Sequence, residues 1–483
     1  MRKRLCRYVG ALGIVAAVSL GGPVPAGAEG VLYQLLDNGP RDKRVNIVMF
    51  AEGYTANLDW YFVGDAQARL QYFLSTPPFD AYPNYFNAFA IFVPSNQTGS
   101  DHPFSDSYRD TYFNSSFDNY DMERLLMIAP HEWDGDWDHG EGKVYALLAE
   151  HVPEYDIIIV LVNDLTYGGS GGDLAVASRA GSAPELVMHE MGHSYAGLGD
   201  EYEAAIPGFP ADEEPNTTQE TVRELIKWNV WIEPTTPIPT PETSTYADVV
   251  GLFEGAHYAW LGWYRPRLNC KMRTLTLPYC EVCSETLVKS DYSLVSPIET
   301  FTPDAIPFDL DRTMAETLSV VPMQPAWHAL VIDWSLDDVP VAANPATTLI
   351  LDGGALGLGG HTVKAVVSDT THLVRNDSAG VLHDSVLWAF TVCEDCYCSC
   401  DCHADPECDG VTNVLDVVTV VNVAFRGAAS ISDPACPFDR TDVDCSGFTN
   451  VLDVVRIVNV AFRSGDPELE FCGPCSQPDY SRQ

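Results

Sequence analysis

The stretch that most constrains this chain is Ser182-Ala-Pro-Glu-Leu-Val-Met-His-Glu-Met-Gly-His-Ser-Tyr-Ala-Gly-Leu-Gly-Asp-Glu-Tyr202. Ser182, a proline in the first turn and Glu185 three residues after the serine predict a helix opened by a capping box. Gly197 and Gly199 are suited to ending it and turning the chain back. His189 and His193 are four residues apart, so both imidazoles fall on one helical face and can reach a single metal ion. Glu190 stands where it can take the proton of a water polarised by that ion. The turn brings Asp200 and Glu201 back toward the histidines, supplying the third ligand that a catalytic zinc needs while leaving one position open. The competing reading is an ordinary amphipathic helix, and the cap, the turn and the carboxylates weigh against it.

The chain has 483 residues, enough for two to four domains. It opens with the basic Met1–Arg7, then an apolar run over Val9–Leu20 and the small residues Ala26-Gly-Ala28. That pattern predicts a secretory signal peptide over 1–28 and a secreted, extracellular protein exported in the bacterial manner. No later stretch reads as a membrane span. The net charge is −41, and removing four basic and no acidic residues with 1–28 takes it to −45. Such a surface repels nucleic acid and anionic membrane, and suits calcium binding or solubility in salt. The 14 cysteines fit an oxidising compartment and disulfide bonds.

Residues 29–296 read as an α/β catalytic domain. Asn46–Phe50, Ala88–Pro94 and Asp156–Val162 are expected strands, and Tyr120–Ile128 and Lys143–Val152 expected helices. After the third strand come Tyr167, Gly168, Gly169, Gly171 and Gly172, read either as a flexible loop or as the rim strand along which an extended peptide is paired. Residues 203–250, rich in Pro, Thr and Glu, read as a surface insertion at the site's mouth. Cys280-x-x-Cys283 is half of a zinc-type pattern with no second pair, so a disulfide from Cys270 to one of the two is expected. Asp134–Glu141 reads as an exposed acidic loop.

Short alternating strands between turn residues predict a β-sandwich over 297–392. A Cys-rich linker over 393–404, stapled by disulfides, leads to a repeat. Cys408-Asp-Gly-Val-Thr-Asn-Val-Leu-Asp-Val-Val recurs as Cys445-Ser-Gly-Phe-Thr-Asn-Val-Leu-Asp-Val-Val, 37 residues on. Each copy fits an EF-hand-type loop with oxygen ligands at the first, third, fifth, ninth and twelfth positions, a backbone carbonyl at the seventh and Gly at the sixth. In the first copy these are Asp405, Glu407, Asp409, Asn413 and Asp416 with the carbonyl of Val411; in the second, Asp442, Asp444, Ser446, Asn450 and Asp453 with the carbonyl of Phe448. Two structural calcium ions are therefore expected in a small α-helical domain over 405–466, followed by a tail over 467–483. The competing reading is a pair of capped helices with acidic N-termini.

The chain resembles the IgA-specific metalloendopeptidase family, secreted zinc peptidases of metzincin-like type. Asn38-Gly-Pro40, Glu52-Gly-Tyr54, Tyr167–Gly172, His189–His193, Asp200-Glu-Tyr202, Gly251-Leu-Phe-Glu-Gly255 and Cys270-Lys-Met-Arg273 carry the resemblance. The resemblance covers about residues 31–392. It implies a zincin fold for the catalytic domain, with His189, His193 and Asp200 on one catalytic zinc, Glu201 as the fallback ligand, Glu190 as the general base and Met272 as a methionine turn. Ala196 stands where metzincins carry glycine, and Gly197 follows one residue later. The repeat, with Asp in place of Glu at its twelfth position, resembles dockerin modules, which implies a cohesin-type protein partner.

The function expected is therefore a secreted zinc-dependent endopeptidase acting on a protein or peptide substrate. The rival is a catalytically silent peptidase-like binding protein attached to its partner through the dockerin-like tail.

Overall fold

Runs such as Ile157-Ile-Ile-Val-Leu-Val162 have no polar face to offer water, and in the computed structural model they lie inside a mixed sheet. The structure describes residues 30–129, 140–204, 206, 209–343, 345–394, 400, 402–432, 436 and 438–472. The expected signal peptide, most of the acidic loop 134–141, Cys396 and Cys398 of the linker and the end of the tail lie outside them. Contacts divide the chain into two units. One comprises residues up to Pro297 with Met323–Leu330 and Asp369–Leu382; the other holds Ile298–Pro322, Val331–Ser368 and the chain from His383 onward. No helix among the described residues is long and apolar enough to cross a membrane.

In the first unit the strands are β1 (Val31–Leu36), β2 (Val45–Glu52), β3 (Phe86–Phe92), β4 (Ile157–Val162), β5 (Gly169–Ser170) and β6 (Ala175–Ser178), in the order β1-β3-β2-β4-β6-β5. The inner four are parallel, and β1 and β5 run antiparallel at the edges. Side chains alternate across the sheet. Ile47, Met49 and Ala51 join a core with helices α1 (Asp59–Leu74), α3 (Ala183–Ala196) and α4 (Glu281–Leu294), whereas Val48 and Phe50 join another with α2 (Gly140–His151). A hairpin of β7 (Phe253–Ala256) and β8 (Ala259–Arg265) completes the unit's strands.

Two expectations fail here. Tyr120–Ile128 is not a helix beyond a single turn at Asn119–Asp121. Asp118, Tyr120, Asp121 and Arg124 have φ between 54° and 73°, which a right-handed helix excludes. Leu126 and Ile128 are buried alternately, and Ser116 bridges Met127, as in a strand. The second is the stretch 203–250, which is a surface insertion only in part. Its Ile226, Trp228, Trp231 and Ile232 are buried in the α1–α3–α4 core, and the Trp228 indole donates to Gly251 O at 2.8 Å.

The second unit holds two sheets. One pairs β10 (Phe308–Asp311), β16 (His383–Cys393), β15 (Gly359–Ser368), β12 (Val331–Leu336) and β13 (Val339–Val341). The other pairs β14 (Thr348–Asp352), β11 (Ala315–Pro322) and β9 (Ile298–Thr302). Buried Trp388 stacks on Trp334 and meets Phe301 edge-on, joining the sheets. Next in the chain are α5 (Val414–Arg426) and α6 (Val451–Arg463), around a small core of Ala404, Val417, Val420, Val443 and Ile457. Disulfides Cys400–Cys436, Cys402–Cys408 and Cys445–Cys472 close this region.

Candidate metal centre

Ser182 stands at the N-cap of α3, but the expected capping box does not form: no side-chain cap bond is made. Glu185 instead binds Tyr72 Oη and Lys271 Nζ, because an ammonium and a phenol outbid a backbone amide for a carboxylate. The C-terminal end follows the sequence. Gly197 takes a left-handed conformation with φ 63°, which carries the chain back under its own helix.

That reversal brings His189, His193 and Asp200 together. Asp200 Oδ1 lies 3.1 Å from His189 Nε2 and 3.4 Å from His193 Nε2, and the two Nε2 atoms are 3.2 Å apart. Two nitrogen or oxygen ligands, each about 2.0–2.1 Å from a tetrahedral zinc, stand about 3.3 Å apart. Each histidine turns its Nδ1 to a backbone carbonyl, Lys271 O at 3.1 Å and Leu198 O at 2.6 Å. Those partners assign Nδ1 as the donor and direct the Nε2 lone pairs at the common point. Asp200 Oδ1 is buried with no hydrogen-bond donor, while Oδ2 accepts from Tyr258 Oη. Burial alone would raise the Asp200 carboxyl, but the two imidazoles beside it hold it well below the usual range. Burial alone would lower His193, but Asp200 pushes it up to about 9. A spot that attracts a proton this strongly also attracts a metal cation. The donor set fits zinc.

Glu201 faces away from this triangle. Its Oε1 accepts from Asn216 Nδ2 at 2.9 Å and lies 3.4 Å from Cys283 Sγ. Met272 is fully buried beneath α3: a Cβ on Gly192, between the histidines, would stand 2.9 Å from its Sδ. Glu190 is nine-tenths buried, and burial raises its carboxyl above the ordinary value.

The glycine-rich segment divides in two. Gly168 and Gly169 are packing positions, hemmed by Arg124 O, Phe117 and Leu186, and the outer side of Gly169 bridges Leu125. Gly171 faces the site, where a Cβ would come within 2.7 Å of Glu190 Oε2 and 3.2 Å of His193 Cδ2. Gly172 is open, and the Glu190 carboxylate adds to burial in raising the phenol of Tyr167.

Tyr258 escaped sequence reasoning. It and His257 form the two-residue turn of the β7–β8 hairpin, at φ 59° and 54°. Such a turn normally takes Asn-Gly, and non-glycine residues held there store strain. The position delivers the Tyr258 hydroxyl to Asp200, while the His257 amide donates to Asp200 O at 2.8 Å. A His-Tyr pair between two short apolar runs was the available signal.

In the C-terminal repeats, Asn413 and Asn450 cap α5 and α6, each with a capping box closed by Asp416 or Asp453. Gly410 N donates to Asp405 at 2.7 Å, and Gly447 N to Asp442 at 2.8 Å. The carbonyls of Val411 and Phe448 accept from the asparagine amides. The copies differ at the third position. Asp442, Asp444 and Asp453 gather their oxygens within 4.8 Å of one another, whereas the Glu407 carboxylate accepts from Thr419 Oγ1 at 3.1 Å. Asp409 Oδ1 accepts from Val411 N, and Ser446 Oγ donates to Phe448 O.

No curated protein matches the chain. The family model described as IgA peptidase M64 matches residues 33–246 and 242–290. The match stops at the end of the first unit's main segment, short of residue 392, so the β-rich region lies outside it. Since the model covers more than half of the 483 residues, the chain belongs to the IgA peptidase M64 family.

Proposed function

We propose that the chain is a secreted zinc-dependent endopeptidase of zincin type carrying a dockerin-like calcium module. The observation that carries the first part is the triangle of His189 Nε2, His193 Nε2 and Asp200 Oδ1, with sides of 3.1–3.4 Å. These residues would hold Zn²⁺, which supplies Lewis acidity that acidifies water and polarises a carbonyl. Glu190 accepts the proton of the attacking water and passes it to the leaving amine. Tyr258 binds Asp200 Oδ2 and so keeps Oδ1 turned to the histidines. Gly171 leaves room for the substrate backbone beside Glu190, and Met272 braces the helix from below. Replacing Glu190 with Ala is expected to lower kcat/KM at least about 100-fold, within the range of general acid–base catalysis, with zinc content unchanged. Substantial cleavage by that variant would sink the reading.

For the module, calcium is supported by the two backbone cradles around Asp405 and Asp442 and by the convergence of Asp442, Asp444 and Asp453. Val414, Leu415, Val418 and Phe425 of α5, and their repeat counterparts Val451, Leu452, Val455 and Phe462 of α6, are all exposed. Apolar residues displayed in duplicate suit a protein partner of cohesin type.

A further inference from the structure

Cys270, Cys280 and Cys283 are buried and unbonded, where a disulfide was expected from the sequence. Cys270 Sγ and Cys283 Sγ are 3.6 Å apart. A disulfide would bring them to about 2.05 Å. Two thiolates, each about 2.3 Å from one tetrahedral zinc, stand about 3.8 Å apart. Cys283 Sγ is 3.4 Å from Glu201 Oε1, and a sulfur and an oxygen on such an ion would be about 3.5 Å apart. The four donor atoms of Glu201, Cys270, Cys280 and Cys283 all lie within 4.8 Å of one another. None of the four residues is more than 5% exposed, and Glu201 Oε2 is buried with no partner. A sealed carboxylate among thiols is costly unless something neutralises it.

We propose that Glu201, Cys270, Cys280 and Cys283 form a second metal site that binds one zinc ion in a closed, structural manner. Cys280-x-x-Cys283 has the spacing of a zinc knuckle, with Cys280 capping the N-terminus of α4. The other two ligands come from the loop after α3 and from the turn before α4, so three separate segments are joined at one point. Surrounding groups orient the ligands: Asn216 Nδ2 donates to Glu201 Oε1 at 2.9 Å, and Cys280 N donates to Cys270 Sγ at 3.1 Å. Binding releases thiol protons to solvent as the Zn–S bonds form. Cys280 also lines a cavity of about 700 Å³ bordered by Trp231, Leu277, Ser284 and Leu373. The assignment does not depend on metal at His189 and His193, although it stabilises their surroundings. Lys271, whose carbonyl receives His189, follows Cys270, and Glu201 follows Asp200.

The test counts metal and thiols in the full secreted chain, purified without chelator. Two zinc equivalents are expected in the parent protein, and one in the His189→Ala/His193→Ala variant, which separates this site from the proposed catalytic one. Denaturing alkylation should label Cys270, Cys280 and Cys283 as three free thiols. A disulfide between any two of them, or no zinc in the double-histidine variant, overturns the proposal. Since cysteine variants can fail to fold, cobalt is substituted into the parent and the double-histidine variant instead. A thiolate-to-cobalt charge-transfer absorption in both supports the site, and its absence from both refutes it.

Discussion

Asp200 and Glu201 are neighbours in the chain and equally hidden from water, yet they face two sets of residues with different chemistry. Asp200 joins two imidazoles, and the His193 side chain remains 20% exposed beneath the edge strand. Glu201 joins three thiols, none more than 5% exposed. An ion that must meet a substrate needs an open coordination position, whereas one that only fastens segments is best enclosed. The difference teaches that ligand chemistry and access separate together: the set with a way out carries nitrogen and oxygen donors, and the enclosed set carries sulfur.

The strongest way to break this division is to neutralise each carboxylate alone. Asp200→Asn is expected to lower kcat/KM by more than about 100-fold, since even groups that only orient a metal ligand cost 10–100-fold. Glu201→Gln should leave kcat/KM within about tenfold of the parent and lower the thermal midpoint by several degrees. Equal losses of activity in both variants would collapse the two sets into one functional unit. Steady-state kinetics beside thermal melting decides between them.

A smaller effect sharpens the access half of the comparison. Gly171→Val places atoms where a single Cβ already comes within 2.7 Å of Glu190 Oε2. Displacing a reacting group by about 1 Å can cost about 100-fold, so kcat/KM should fall by 10–100-fold with zinc content unchanged. Loss of zinc from this variant would mean that Gly171 supports the ligands and not the space beside them.

The smallest effect concerns the link between the helices that carry the two sets. Tyr195 of α3 donates to Asp291 Oδ1 of α4 at 2.7 Å, and burial pushes the Asp291 carboxyl up to about 8 from an ordinary 3.8. Between about pH 4 and pH 8 the folded protein holds a proton there that the unfolded chain has already released, so stability falls as pH rises through that window. Asp291→Asn removes this loss. Its gain in thermal midpoint over the parent should be near zero at pH 4 and grow up to pH 8, measured by melting across that range. A gain that does not change with pH would place the effect in packing and not in titration.

Much of the first site was legible because its parts are close in sequence. The i, i+4 histidines, Gly197 and Asp200 lie within twelve residues, and helical geometry plus one left-handed turn is enough to relate them. Three of the four inner strands, β2, β3 and β4, were readable from their unbroken apolar runs. The capping box was misread because Lys271, 86 residues beyond Glu185, takes the glutamate. The false helix at Tyr120–Ile128 came from assigning a 3.6-residue period to residues buried at a period of two. The sulfur set lay beyond sequence reasoning for a similar cause. Glu201 is 82 residues from Cys283, and a CxxC pair without its partners cannot be told from half a disulfide framework.

Residues 203–250 have a consequence for how this protein can vary. Connecting segments over a site usually tolerate changes of length, which lets a scaffold acquire new preferences by exchanging loops. Here Asn216, wholly buried, holds Gly199 through both amide atoms and reaches Glu201 as well, while Trp228 and Trp231 anchor the same stretch in the core. Shortening or replacing it would empty part of the interior and release the loop that carries Asp200. Around these anchors, diversification is therefore confined to side-chain replacement, while changes of length are left to the exposed runs 209–213 and 241–245.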